Sequence, residues 1–381
     1  MKATVSRDEF RNALSAVLGV VDKRGTMPIL SNVLIKADGN LLEIMATDLE
    51  VNFKGFCGAT VTEPGAITVP AHQLFSLVKE APGMAVDMET TERHTLKLNW
   101  GDAKYQLNGL DPEQFPPLPE IEPGTGVVNI PGKVLKGMIE KVLFSTGDDM
   151  QYHLNGVMWE KIEPDEEGTY LALRMVSTDG HRLTLIEREF AFASLLFLQQ
   201  NSIMVPLKGM REIARFADGQ ETVGLAVDKQ ILFVIGERKH LAIRLLDKRF
   251  PDYRRIIPPG FNHQVLVPRE EFARSIKRLS LVETERFKGI LIKMGSEELG
   301  LSSSSPDMGD GQEKITGVQL LEGDPETLNF EMGFNAPYLL QPLSFMGNGH
   351  IIFSTTAEDK PARIMGADDP NYFSVIMPMS K

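Results

Sequence analysis

The sequence predicts an α+β protein built from three similar domains, and three observations carry that expectation. A short β-rich run leads into a helix-like segment six times along the chain. Alternating antiparallel strands follow each of these segments. The six units also fall into pairs: the odd member ends a strand on a polar turn, and two of the even members close on proline-rich exits.

The repeated units begin with "ATVSRDEFRNALSAV" from Ala3, "AITVPAHQLFSLVKE" from Ala66 and "VVNIPGKVLKGMIEKVL" from Val127. They continue with "SIMVPLKGMREIARF" from Ser202, "QVLVPREEFARSIKRL" from Gln264 and "FEMGFNAPYLLQPLSF" from Phe330. Most carry proline at or near the first helical position, where its missing N–H costs nothing and its fixed φ starts the turn. One apolar face then recurs at helical spacing: Phe10, Leu14, Val17 and Leu18; Leu135, Met138, Ile139 and Val142; Phe272, Ile276 and Leu279. The run Val223 to Leu246 alternates as strands do, with hairpin turns expected at Asp228-Lys229 and Gly236-Glu237. "MAVDMETTERHTLKLNWGDAKYQLNGL" does the same after the second helix, whereas the polar run Ser302 to Ser305 reads as a loop. "QFPPLP" (Gln114 to Pro119) and "RFPDYRRIIPP" (Arg249 to Pro259) mark domain exits. Pairing odd units with even ones gives domains at 1–125, 126–262 and 263–381, each a normal domain size of about 125 residues.

Composition narrows the function classes. With 42% apolar residues over 381 positions the chain can bury several cores. A single cysteine, Cys57, allows neither an internal disulfide nor a thiolate metal cluster, and the 7 histidines do not gather at ligand spacing, so no cofactor or metal is expected. No window approaches the about 20 apolar residues of a membrane span, and "MKATVSRDEF" lacks a signal-peptide core, so a cytoplasmic protein without membrane contact is expected. The net charge of -12 repels nucleic acid at long range, so any such role needs local basic surface. The helical segments supply it: in them lysine and arginine outnumber acids by about two to one. Lys133, Lys136, Lys141, Lys208, Arg211, Arg215, Arg274, Lys277 and Arg278 are the main contributors. Such residues can form an ordinary solvated face or a sequence-independent phosphate-binding one, and no aromatic residues interleave them to suggest single-strand stacking.

"STDGHRL" (Ser177 to Leu183) has the look of an acid–base site. A hydrolase or lyase using Asp179, His181 and Asp252 is one reading of it. The repeat argues otherwise, because the matching turn of the first domain is Thr47-Asp48-Leu49-Glu50, without histidine. The Thr-Asp pair therefore belongs to the architecture, and no glycine-rich phosphate loop is present.

Taken together, the repeats, "TDGHRL", "MPILSNVLI" from Met27, "TDLEV" from Thr47, "YHLNGV" from Tyr152, "FPDYRRIIP" from Phe250, "RFKGI" from Arg286, "GFNAPYLL" from Gly333 and the tail "YFSVIMPMSK" resemble the bacterial sliding clamps, the β subunits of DNA polymerase III. The resemblance runs the full length, in family order. It implies a head-to-tail homodimeric ring of six similar domains, helices lining the pore and sheets outside, around duplex DNA. It also implies no enzymatic activity: the ring tethers the polymerase III catalytic subunit, and the clamp loader, other polymerases and repair proteins dock on it through a short linear motif.

The resemblance further implies a hydrophobic cleft for that motif. It would comprise Leu154; Thr178, Gly180, His181, Arg182 and Leu183; Pro251, Arg255 and Ile256; Phe287; Asn335 and Tyr338; and Val375, Ile376, Met377, Pro378 and Met379. Apolar and methionine side chains make an adaptable pocket, and arginine and asparagine fix the peptide's polar groups. For DNA it points to Arg24 and to Tyr152 and His153, and the charge on the helical segments adds Lys136, Lys141, Lys208, Arg211, Arg215 and Lys277. The dimer seam would join Lys104 and Tyr105 to Leu281 and Val282 of the other copy, with Asp307, Asp310 and Glu313 as candidate partners of Lys104. Ser380 stands before Lys381 where the family tail has its basic residue directly after the Met-Pro-apolar motif. A monomeric protein-binding scaffold keeps the cleft and discards the ring.

Overall fold

The computed structural model describes residues 1–22, 27–147, 154–162, 171–190, 195, 197–198, 201–282, 289–328 and 330–379. All six expected strand–helix units are present: Lys2–Ser6 leads into α1 (Arg7–Val17), Gly65–Pro70 into α2 (Ala71–Glu80) and Val128–Pro131 into α3 (Gly132–Leu143). Likewise Ser202–Pro206 leads into α4 (Leu207–Ala217), His263–Pro268 into α5 (Arg269–Leu279) and Glu331–Phe334 into α6 (Ala336–Leu343).

In four of the units the proline is the last strand residue, not the first helical one. Pro70 (φ -56, ψ 114) and Pro268 (φ -60, ψ 112) fit both roles, because their fixed φ suits the end of a strand and the entry to a helix alike. α1 buries Phe10, Leu14 and Val17, and α5 buries Phe272, Ile276 and Leu279, as the apolar spacing predicts. α5 also carries Glu270 and Glu271 in its first turn and Lys277 and Arg278 in its last, which complements the helix dipole at both ends.

The chain forms two compact units. The first comprises Met1–Lys136, Phe192–Gln200 and Lys208–Leu246. Its framework is a twelve-stranded antiparallel sheet whose main path runs from Ala103–Asn108 at one edge through Lys2–Ser6, Val51–Glu63 and Lys239–Arg244 to Val128–Pro131. The 13-residue strand Val51–Glu63 holds this path together: its start pairs with Lys239–Arg244 and its end with Lys2–Ser6. α1 and α2 pack on each other and bury Leu14, Leu74 and Val78 completely.

The second unit comprises Gly137–Ala191, Asn201–Leu207 and Asp247–Lys381. In its nine-stranded sheet Arg182–Glu189 lies between Ala172–Thr178 and the C-terminal strand Asp369–Ile376. A four-stranded sheet runs in the order Gly309–Thr316, Glu298–Ser305, Ile290–Lys293, Glu331–Phe334. α5 packs against α6.

Two local expectations are corrected. The hairpin expected at Asp228-Lys229 turns one residue later: Asp228 pairs with Ile231, so Lys229 and Gln230 are the central residues, both at positive φ (44 and 65). That is the mirror-image two-residue turn whose twist matches the flanking strands. Ser302 to Ser305 is strand, not loop, paired residue by residue with Gly309–Gln312. Leu299, Leu301, Ser303 and Ser305 point inward in strict alternation, so small hydroxyls occupy positions that apolar side chains usually announce.

Candidate functional site

The Thr178–Arg182 turn is built by its own side chains. The Thr178 hydroxyl accepts from the Gly180 N–H (3.2 Å) and donates to the Arg182 carbonyl (2.6 Å). Asp179 Oδ1 accepts from the N–H groups of His181 and Arg182, each at 3.0 Å. Gly180 sits at φ 86, where a glycine is unstrained.

Arg182 is largely consumed in holding this turn. Its Nε donates to Asp179 Oδ2 (2.9 Å), Nη2 to the Phe144 carbonyl (2.6 Å) and Nη1 to Gln341 Oε1. The guanidinium also lies over the rings of Tyr338 (4.4 Å) and Phe144 (5.2 Å). With 7% of its surface exposed, it fixes the wall and is spent on neighbours within the fold. His181, by contrast, is exposed, with its ring stacked near Tyr338 (6.2 Å, 19°). Burial raises the Tyr338 hydroxyl pKa, and the nearby Asp179 carboxylate adds to the effect.

The tail runs along this wall. Arg182 pairs with Ile376 and Leu183 with Val375; the Met377 N–H then donates to the His181 carbonyl (2.9 Å) and that of Met379 to the Gly333 carbonyl (2.8 Å). Leu154, Thr178, Leu183, Val375 and Ile376 are buried and form the base. Met377 and Met379 are each 43% exposed, which leaves two flexible apolar side chains at the surface. Asn335 caps α6 without a side-chain hydrogen bond, and its buried Oδ1 has no partner among the described residues.

The proline exit supplies the other side. A cavity of about 650 Å³ is lined by Arg255, Ile256, Pro258, Lys360, Pro361 and Met377. Pro251 is half-buried, and Arg255 is held by Asp252 (2.8 Å). Tyr253 anchors the segment: its hydroxyl donates to Glu160 (2.6 Å) and accepts from Arg174 (2.8 Å). The structure thus brings the described cleft candidates into one unit and adds Phe144, Tyr253 and Gln341. Gln341 was legible only as the residue one helical turn after Tyr338. Phe287, Arg24, Tyr152, His153 and the Ser380-Lys381 ending lie outside the described residues.

The helix cations divide into two groups. Lys136 pairs with Asp218 (2.7 Å), and Lys208 with Asp48 and the Val20 carbonyl (2.8 Å). Arg215 pairs with Glu212 (2.8 Å), and Lys141 with Asp369 (3.0 Å) while lying over the Tyr372 ring (4.6 Å). Burial raises the Glu212 carboxyl above the usual range despite Arg215 and Lys208. Arg211 and Lys277 are exposed and hold no ion pair among the described residues.

Lys104 and Tyr105 are exposed on Ala103–Asn108, the edge strand of the first unit's sheet, with Tyr105 stacked on Trp100 (5.1 Å). Leu281 is 72% exposed, and Val282 is half-buried. Of the three acids considered for Lys104, Glu313 is already engaged: Arg278 holds it bidentately, which puts its carboxyl below the usual range. No helix of the described residues is long and apolar enough to cross a membrane.

The chain matches three family models end to end: the N-terminal domain of the DNA polymerase III beta subunit at residues 1–119, its central domain at 129–252 and its C-terminal domain at 254–380. It is 30% identical to the beta sliding clamp of Pseudomonas aeruginosa and 31% identical to that of Pseudomonas putida, covering 100% of both chains in each case. Among solved structures it is similar to the DNA polymerase sliding clamp of Caulobacter crescentus (TM-score 0.90, 28% identity). It is also similar to the Pseudomonas aeruginosa sliding clamp bound to griselimycin (TM-score 0.89, 29% identity), again with 100% of both chains covered. Three consecutive domain matches spanning the chain, together with full-length relatives at 30% identity or more, show that the chain belongs to the family of the bacterial DNA polymerase III beta subunit, the sliding clamps.

Proposed function

We propose that two copies of this chain close head to tail around duplex DNA and tether the replicative polymerase and other DNA-acting proteins to it. The end-to-end family match carries this reading. The chain works by topology and docking, not catalysis. Three domains at 1–125, 126–262 and 263–381 and cytoplasmic residence are part of the proposal.

Partner peptides dock on His181, Tyr338, Met377 and Met379, over the base formed by Leu154, Leu183, Val375 and Ile376. Arg182 keeps that wall in shape, Gly180, Pro251, Arg255, Ile256, Asn335 and Pro378 complete its rim, and Phe287 belongs to the same assignment. Exposed methionines beside aromatic rings suit varied apolar motifs, because an unbranched thioether repacks at low cost. DNA is held through phosphates alone, with Arg211 and Lys277 among the available cations; the ion-paired Lys136, Lys141, Lys208 and Arg215 contribute less. The seam joins Lys104 and Tyr105 to Leu281 and Val282 of the second copy.

The test is retention on DNA. After loading onto nicked circular plasmid, the protein should stay through gel filtration and leave when the plasmid is linearised. Equal loss from circular and linear DNA would overturn the ring.

A further inference from the structure

We infer that the Thr47–Asn52 turn and the proline exit at 116–119 form a second peptide-docking cleft, which takes an extended segment carrying an apolar side chain beside a carboxylate. The inference extends the docking reading to a separate place in the first unit.

The internal repeat locates it. Around Asp48 the hydrogen bonds of the Asp179 turn recur: Leu49 N–H to Thr47 Oγ1 (2.9 Å), Glu50 N–H to Asp48 Oδ1 (3.0 Å) and Val51 N–H to Asp48 Oδ1 (2.6 Å). Next, Val51 pairs with Ile243 as Arg182 pairs with Ile376. The Arg244 N–H donates to the Glu50 carbonyl (2.8 Å), just as that of Met377 donates to the His181 carbonyl (2.9 Å). Arg244 therefore stands where the other cleft has Met377, and Leu49 where it has Gly180.

A cavity of about 410 Å³ opens at this place, lined among others by Leu49, Pro116, Pro117, Lys229, Ile231 and Arg244. Two features point to an occupant. Leu49 is held at φ 77 and is 50% exposed, so the fold keeps an apolar side chain at the cavity wall in a left-handed conformation that is costly for a non-glycine residue. Arg244 is exposed and has no ion pair among the described residues, while Lys229 at the mouth is held by Glu122. Leu49, the prolines and Ile231 supply the apolar contact and Arg244 the fork for a carboxylate.

The experiment is fluorescence anisotropy on the full chain with labelled Gly-Ser-Leu-Asp-Glu-Ser-Gly, its neutral counterpart Gly-Ser-Leu-Asn-Gln-Ser-Gly, and an acidic peptide ending in Leu-Phe for the other cleft. The first probe should bind wild type. Neutralising it, or introducing Arg244→Glu or Leu49→Lys, should weaken binding by about tenfold, with Arg244→Lys retaining most of it. The Leu-Phe probe should be unmoved by these variants. No binding of the first probe, binding insensitive to Arg244→Glu, or loss through Met377→Asp instead would overturn the second cleft. If only the Leu-Phe probe fails, the docking role of the C-terminal cleft falls and this one stands. Should Arg244→Glu unfold, the neutral probe on wild type decides.

Discussion

At the residue scale, Arg182 and His181 are neighbours with opposite duties. Arg182 is buried with an ion pair, two further hydrogen bonds and two aromatic faces, so Arg182→Ala strands Asp179 and empties a stacked site. Loss of one partner of a buried pair costs about 3 kcal/mol, and a lowered midpoint in chemical denaturation together with loss of cleft-peptide binding is expected. Arg182→Lys restores the charge without the planar fork and should recover stability only in part. His181→Ala, at an exposed position, should leave the midpoint within about 0.5 kcal/mol while weakening the Leu-Phe peptide several-fold in the anisotropy assay. A hydrolytic activity lost in that variant would instead revive the acid–base reading.

At the scale of elements, the proposed cleft rests on the Asp369–Ile376 strand. It buries Tyr372, Val375 and Ile376, each contributing about 2 kcal/mol of apolar transfer, and carries Met377 to the surface. Asp369 ties its start to Lys141 (3.0 Å) and to Arg188. Burial alone would raise the Asp369 carboxyl, but hydrogen bonds from Arg188 and Lys141 outweigh it and hold it below the usual carboxylate range. A folded pKa below the unfolded value of about 3.9 contributes stability that is complete above that value and is lost as pH falls through the folded one. Asp369→Asn should therefore melt lower than wild type at pH 7, with the gap closing below about pH 4 in a pH series of thermal scans. Truncation after Ile376 spares the strand but removes both methionines; it should keep the circular dichroism spectrum and reduce peptide affinity by about tenfold or more.

At the scale of the whole molecule, a chain of net charge -12 is assigned to DNA through a few exposed cations, so the contact must be weak and salt-dependent, with encirclement giving persistence. In the proposed seam Leu281 should matter more than charge, because exposed ion pairs contribute about 0–1 kcal/mol each. Leu281→Asp should convert dimer to monomer in light scattering at micromolar concentration. A persisting dimer would place the seam elsewhere.

How much of this was legible in the chain follows from the range of the forces involved. Helical spacing of Phe10, Leu14 and Val17, proline at the strand–helix joints and the recurrence of Thr-Asp were readable because propensity and periodicity act over a few residues. Ser302 to Ser305 misled because a serine strand has no apolar signature; its alternation emerges only when the neighbouring strand is in place. The turn at Asp228 was misplaced by one residue because pairing register, not composition, selects its centre. By itself the sequence determined the sixfold unit, the α+β class and the family, each a pattern of local or ordered signals. Only the tertiary structure decided that Arg182 is a strut, that Lys141 and Lys208 are spent on Asp369 and Asp48, and that Arg244 takes beside the Asp48 turn the position Met377 holds beside the Asp179 turn. Those outcomes join residues as much as 228 positions apart, and which charge finds a partner is settled by the packing that brings them together.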